Sequence, residues 1–179
     1  MSKKVLIIAG SPRKGGNSDM LCDAFAKGAQ AAGHTTEKIY LQDKKIGFCK
    51  ACYACEKTGS CVQKDDVAAI LDKMVEADVL VLATPVYYYC MSGQLKTFID
   101  RTMPRYFSNP IAGKDVYFLL TAGEGREAIE RAVESLRGFT DCLPDATIKG
   151  VVYGPNVQAA GEIAGRPAVA EAEKMGLSC

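Results

Sequence analysis

The chain has 179 residues, 48% hydrophobic and 24% charged, with a formal net charge of +1, which suits one globular domain. So small a net charge argues against nucleic acid or an anionic membrane as partner, and no apolar run approaches the ~18 residues of a membrane span. The apolar run Val5–Ala9 is too short for a secretion signal and is soon followed by Arg13 and Lys14, so a soluble, cytoplasmic protein is expected.

Taken in order, Lys4–Ala9 reads as a buried first strand and Ser18–Ala32 as a helix ended by Gly33. Thr35–Leu41 reads as the second strand. Asp66–Glu76 reads as a helix capped by Asp65 or Asp66. Asp78–Ala83 is a continuous apolar run, expected of a strand buried on both faces. A helix over Ser92–Arg101, a fourth strand over Asp115–Leu120, a helix over Arg126–Phe139 and a fifth strand over Thr147–Val152 follow. Gly161–Met175 reads as a last helix, interrupted by Pro167. Strands alternating with helices imply right-handed βαβ units. The expected fold is a flavodoxin-like three-layer α/β sandwich over residues 1–179, its five-stranded parallel sheet ordered 2-1-3-4-5. Ligands of such sheets sit outside the carboxyl ends of the strands, so the segments after each strand carry the functional reading.

The segment after strand one is Gly10-Ser11-Pro12-Arg13-Lys14-Gly15-Gly16-Asn17-Ser18. Gly15 and Gly16 let backbone N–H groups turn inward, and Asn17 or Ser18 can cap the helix. Ser11 and Ser18 add hydroxyl donors and Arg13 a cation, a set that suits a phosphate at a helix N-terminus. Neither a Walker loop nor G-x-G-x-x-G is present. The pattern Gly10-Ser11-Pro12-Arg13-x-x-x-Asn17-Ser18 resembles the FMN-phosphate loop of the NADPH-dependent FMN reductase-like members of the flavodoxin superfamily. The resemblance covers most of residues 1–150.

After strand three, Pro85-Val86-Tyr87-Tyr88 offers flat and apolar faces for an isoalloxazine, and the helix from Ser92 offers free N–H groups. Pro85-Val86-Tyr87, Ser92-Gly93 and Lys96-x-Phe98-x-Asp100-Arg101 are similar to the family's flavin loop and following helix. After strand four, the small residues of Thr121-Ala122-Gly123-Glu124-Gly125 permit close backbone approach. The resemblance places Thr121, Ala122, Gly123 and Gly125 near the flavin ring. Gly16 joins the phosphate donors through its inward-turning backbone, and the resemblance implies NAD(P)H as co-substrate and a homodimer or homotetramer.

Four of eight cysteines stand as Cys49-x₂-Cys52-x₂-Cys55-x₅-Cys61 within the irregular stretch 42–64. Four thiolates so close in sequence can wrap a [4Fe–4S] cluster, and the spacing resembles the compact motif of the iron–sulfur flavoproteins, a branch of this superfamily. Structural zinc prefers two separated knuckles. A thiol–disulfide switch or free thiols stay open as alternatives. Cys22, Cys90 and Cys142 read as small buried hydrophobes and Cys179 as exposed. His34, the only histidine, reads as a solvated turn residue, which leaves no Cys/His or Ser/His nucleophile.

The expected function is electron transfer from NAD(P)H or a reduced carrier to a quinone, flavin or other acceptor, with the flavin doing the chemistry. A redox carrier protein is the alternative partner to a small-molecule acceptor. The rival class is a non-catalytic, phosphate-responsive regulator on the same fold.

Overall fold

Alternate residues of the central strands face opposite sides of one sheet, and that sorting builds two cores. The computed structural model describes residues 1–179. Its strands are β1 (Lys4–Ala9), β2 (Thr35–Tyr40), β3 (Val79–Tyr87), β4 (Cys90–Met91), β5 (Asp115–Thr121) and β6 (Thr147–Gly154). Five run parallel in the order β2-β1-β3-β5-β6, while β4 folds back antiparallel on the end of β3. With β5 and β6 as the fourth and fifth parallel strands, this is the expected doubly wound order.

The helices are α1 (Asn17–Ala31), α2 (Ala54–Thr58), α3 (Val67–Glu76), α4 (Gly93–Asp100), α5 (Pro104–Phe107), α6 (Arg126–Thr140) and α7 (Pro167–Leu177). Leu6, Ile8, Leu80, Leu82 and Phe118 face a core shared with Met74 of α3, Phe98 of α4 and Leu136 of α6. Val5, Ile7, Val81 and Leu119 face a core shared with Leu21 and Phe25 of α1 and Ala172 of α7. Each fully buried aliphatic or Phe side chain contributes about 1.5–3 kcal/mol, so the two cores drive the fold. No helix is long and apolar enough to cross a membrane.

α7 differs from expectation. Pro167 opens it at the first helical position, where its missing N–H costs nothing, rather than interrupting it. The helix packs backbone to backbone on α1. A Cβ at Gly28 would lie 2.0 Å from Glu173 O, and one at Gly176 2.0 Å from Phe25 O.

α1 ends as expected. Gly33 takes φ 84°, its N–H donates to Gln30 O, and the His34 N–H donates to Ala29 O. His34 is not a solvated turn residue. Its Nδ1 accepts from the Lys3 N–H at 3.3 Å and its Nε2 lies 3.0 Å from the main-chain oxygen of Cys179. Asp66 is the N-cap residue of α3, but its Oδ2 accepts from the Lys45 N–H at 2.7 Å; the side chain that serves the first turn is Asp65, whose Oδ1 accepts from the Val67 N–H at 3.3 Å.

Candidate functional site

The turn after β1 is held by its own side chains. Ser11 Oγ accepts from the Arg13 N–H at 3.0 Å and donates to Arg13 O at 3.1 Å. Gly15 takes φ 68°, a left-handed conformation that disfavours other residues. Its N–H does not point to a ligand but donates to Asp19 Oδ2 at 2.8 Å. Gly16, not Asn17 or Ser18, is the N-cap of α1. Asn17 ties the turn to the segment after β6, donating from Nδ2 to Ala159 O (2.9 Å) and accepting on Oδ1 from the Ile163 N–H (3.1 Å). The N–H groups of Asn17, Ser18 and Asp19 make no hydrogen bond within the chain, as the first turn of a helix dictates.

Asp19 is a buried carboxylate in the first turn of α1 that the sequence gives no reason to single out. A bare carboxylate in the first turn would compete with an anion for those N–H groups. Here its charge is already engaged: Lys38 Nζ lies 2.8 Å from Oδ1, and Tyr40 Oη donates to Oδ2 at 2.8 Å. Burial alone would raise the pKa of Asp19, but these donors outweigh it and hold the carboxyl below its ordinary value. Lys38 also pairs with Asp23.

The turn forms one wall of a cavity of about 320 Å³, whose lining includes Ser11, Arg13, Gly16, Asn17 and Ser18. Pro85, Val86 and Tyr87 form the second wall. They belong to β3, which runs past its expected end at Ala83 and turns back into β4 through Tyr88 and Tyr89, at φ 49° and 62°. Two tyrosines in that conformation give no turn signal in the sequence. Tyr88, at the tip, is 100% exposed and stands outside the cavity lining. Ser92 is also outside it; fully buried, its Oγ accepts from the Leu95 N–H at 3.3 Å and donates to Gly10 O at 2.6 Å.

Thr121, Ala122 and Gly123 form the third wall, while Gly125 lies beyond it as the N-cap of α6. Val157 and Gln158, in the segment after β6, close the cavity and were not anticipated. The Val157 N–H donates to Ala122 O at 2.9 Å, and Arg13 Nη1 donates to Gln158 O at 3.2 Å. The signal was available: Gly154-Pro155-Asn156 marks a turn after the last strand.

Cys49, Cys52, Cys55 and Cys61 line a second, smaller cavity of about 90 Å³. Ala51 and Tyr53, either side of Cys52, take φ 48° and 54°, and this left-handed backbone curls the loop around the cavity. No three His, Cys, Asp or Glu side chains are grouped closely enough to hold one metal ion. Arg101, 1% exposed, forms part of the wall. Burial raises the thiol pKa of Cys55, and the neighbouring Cys61, Cys52 and Cys49 push the same way. Of the other cysteines only Cys22 is buried; Cys90 and Cys179 are half-buried and Cys142 is exposed, because it sits in the turn that follows α6.

Walls drawn from the carboxyl ends of β1, β3, β5 and β6, with the N-terminus of α1 between them, define a flavodoxin-like α/β protein whose cleft lies at the switch point of its sheet. The chain belongs to the NADPH-dependent FMN reductase family, which residues 3–158 match. It is 40% identical over 111 residues to an iron-sulfur flavoprotein of Archaeoglobus fulgidus, across 62% of this chain and only 50% of that relative. It is 32% identical over 137 residues to an iron-sulfur flavoprotein of Methanosarcina thermophila, across 76% of this chain and 72% of that one. Its fold matches the NAD(P)H:quinone oxidoreductase of Methanothermobacter marburgensis with a TM-score of 0.79 at 21% identity, over 99% of this chain and 96% of that one.

Proposed function

We propose that the chain binds FMN in the 320 Å³ cleft and uses NAD(P)H or a reduced carrier to reduce a small acceptor such as a quinone or free flavin. The observation that carries this is the convergence of the free N–H groups of Asn17 and Ser18, the Arg13 guanidinium and the Pro85–Tyr87 strand end on one cavity. Bound FMN would supply the electron-transfer chemistry. Ser11, Arg13, Gly16, Asn17 and Ser18 would hold its phosphate. Pro85, Val86 and Tyr87 would flank the ring, with Thr121, Ala122 and Gly123 along its edge. Tyr88, Ser92 and Gly125 would act from outside the lining, Ser92 by fixing the loops.

For the cysteine site we propose a [4Fe–4S] cluster. Four thiols line one cavity, a buried cation stands in its wall, and the Cys49-x₂-Cys52-x₂-Cys55-x₅-Cys61 spacing lacks the two separated knuckles that structural zinc prefers. Homologues bearing the name iron-sulfur flavoprotein support the same reading. Exposed Phe48, Tyr53, Tyr88 and Tyr106 support a homodimer or homotetramer, which sedimentation would reveal.

The test is direct. Titration with FMN should quench its fluorescence at one site per chain and give a protein that oxidises NAD(P)H. Anaerobic treatment with iron and sulfide should add a broad band at roughly 400 nm above the flavin spectrum. No quenching at micromolar FMN would remove the flavin reading and return the chain to the regulator class. Flavin binding without the added band would leave an FMN-only reductase.

A further inference from the structure

Arg101 is fully buried, yet it stands in the wall of the cavity that the four clustered cysteines line. Its guanidinium forks onto Asp65, Nη1 to Oδ2 at 2.7 Å and Nη2 to Oδ1 at 3.0 Å. Nη1 also donates to Gly47 O at 2.7 Å. Nη2 donates to Cys61 Sγ at 3.4 Å, and Nε is buried with no partner. Taking a charge out of water is expensive, and a pair with one carboxylate rarely compensates for it. Asp65 is also occupied by the N–H groups of Gly47 and Val67, so it has donors of its own. A cation held here, against a sulfur and with a spare N–H, is placed for more negative charge than one carboxylate supplies.

We propose that Arg101 is a positioning residue of the cysteine site: it fixes Cys61 and, through its buried charge, raises the reduction potential of the [4Fe–4S] cluster that Cys49, Cys52, Cys55 and Cys61 would hold. This rests on the cluster reading above. Thiolate ligation leaves such a site anionic, and taking up one electron adds a further negative charge. A fixed cation favours the more negative state, and N–H···S bonds act in the same direction. Asp65 opposes part of that field, so the two residues carry opposite signs of effect.

The experiment compares wild type, Arg101→Gln, Arg101→Lys and Asp65→Asn after anaerobic reconstitution. Iron content, FMN affinity and circular dichroism report loading and fold, and a spectroelectrochemical titration reports the cluster potential. At a fixed ambient potential, Arg101→Gln should lower the ratio of reduced to oxidised cluster roughly tenfold, about 59 mV for a one-electron couple. Arg101→Lys, which keeps the charge but loses the fork, should shift the same way by less. Asp65→Asn should shift the other way. Fully loaded Arg101→Gln and Asp65→Asn proteins with wild-type potentials would overturn the proposal and leave the cluster reading standing. A wild-type chain that takes up no iron and sulfide would overturn both. If Arg101→Gln does not fold, the sign of the Asp65→Asn shift decides.

Discussion

Ser92 donates a 2.6 Å hydrogen bond from Oγ to the carbonyl of Gly10, joining the segment after β3 to the end of β1. The same oxygen accepts from the Leu95 N–H and so caps α4. One buried hydroxyl therefore sets both the helix start and the spacing of two cleft walls.

Replacing Ser92 by Ala leaves Gly10 O and Leu95 N–H unpaired in a dry place. We expect a loss of about 1–3 kcal/mol in a urea titration, together with weaker FMN binding. A variant as stable as wild type would show that water replaces the hydroxyl.

Two glycine substitutions should have opposite signs. Gly→Ala inside a helix gains up to about 1 kcal/mol from propensity. At Gly138 in α6 nothing lies within 4 Å of the added Cβ, so Gly138→Ala should raise the melting temperature. At Gly28 the Cβ would meet Glu173 O at 2.0 Å, and moving α7 off α1 should cost about 3 kcal/mol, which outweighs the propensity gain. Differential scanning calorimetry of both variants checks the contrast.

The acid limb of stability should depend on Asp19. Its folded pKa is depressed, so its contribution is complete above the unfolded value of about 3.9 and fades as pH falls through the lower folded value. Asp65 is depressed in the same way: burial opposes its charge, but Arg101 prevails. Lys38 is raised, burial opposing and Asp19 and Asp23 prevailing, so its share is complete at neutral pH and is lost only in strong alkali. Asp19→Asn should cost about 2 kcal/mol at pH 7 and flatten the stability curve below about pH 4. Urea midpoints between pH 2 and 7 measure both.

Arg13→Ala removes an exposed cation and one bond to Gln158 O, with no buried partner left behind. The fold should be unaffected, while the FMN dissociation constant should rise about tenfold and lose part of its salt dependence. Asn17→Ala should weaken FMN binding and stability together, because Asn17 Oδ1 and Nδ2 also anchor Ile163 and Ala159.

Much of the site was legible before any coordinates. The continuous apolar runs Val5–Ala9 and Val79–Ala83 identify two strands buried on both faces, because a short unbroken run of apolar residues is a local property of the sequence. Once strands were known, the rule that ligands sit at their carboxyl ends led to Ser11, Arg13, Pro85 and Ala122, all of which line the cleft. The cysteine spacing is readable for the same reason: a short loop brings its four cysteines onto one cavity.

Contacts between distant segments were decided by the tertiary structure alone. Arg101 reads in sequence as the end of an amphipathic helix, and only the chain path sets it behind Cys61 and onto Asp65. Gly28 lies inside the first expected helix and Gly176 just past the end of the last one, and nothing local marks either until the two helices are seen to touch through them. Lys38 and Tyr40 lie on an edge strand, yet they quench the Asp19 charge beside the proposed phosphate site because β2 pairs with β1 and passes α1. Pattern encodes which side chains leave water; which partner each one meets is set by long-range packing, whose energy belongs to pairs that no local window contains.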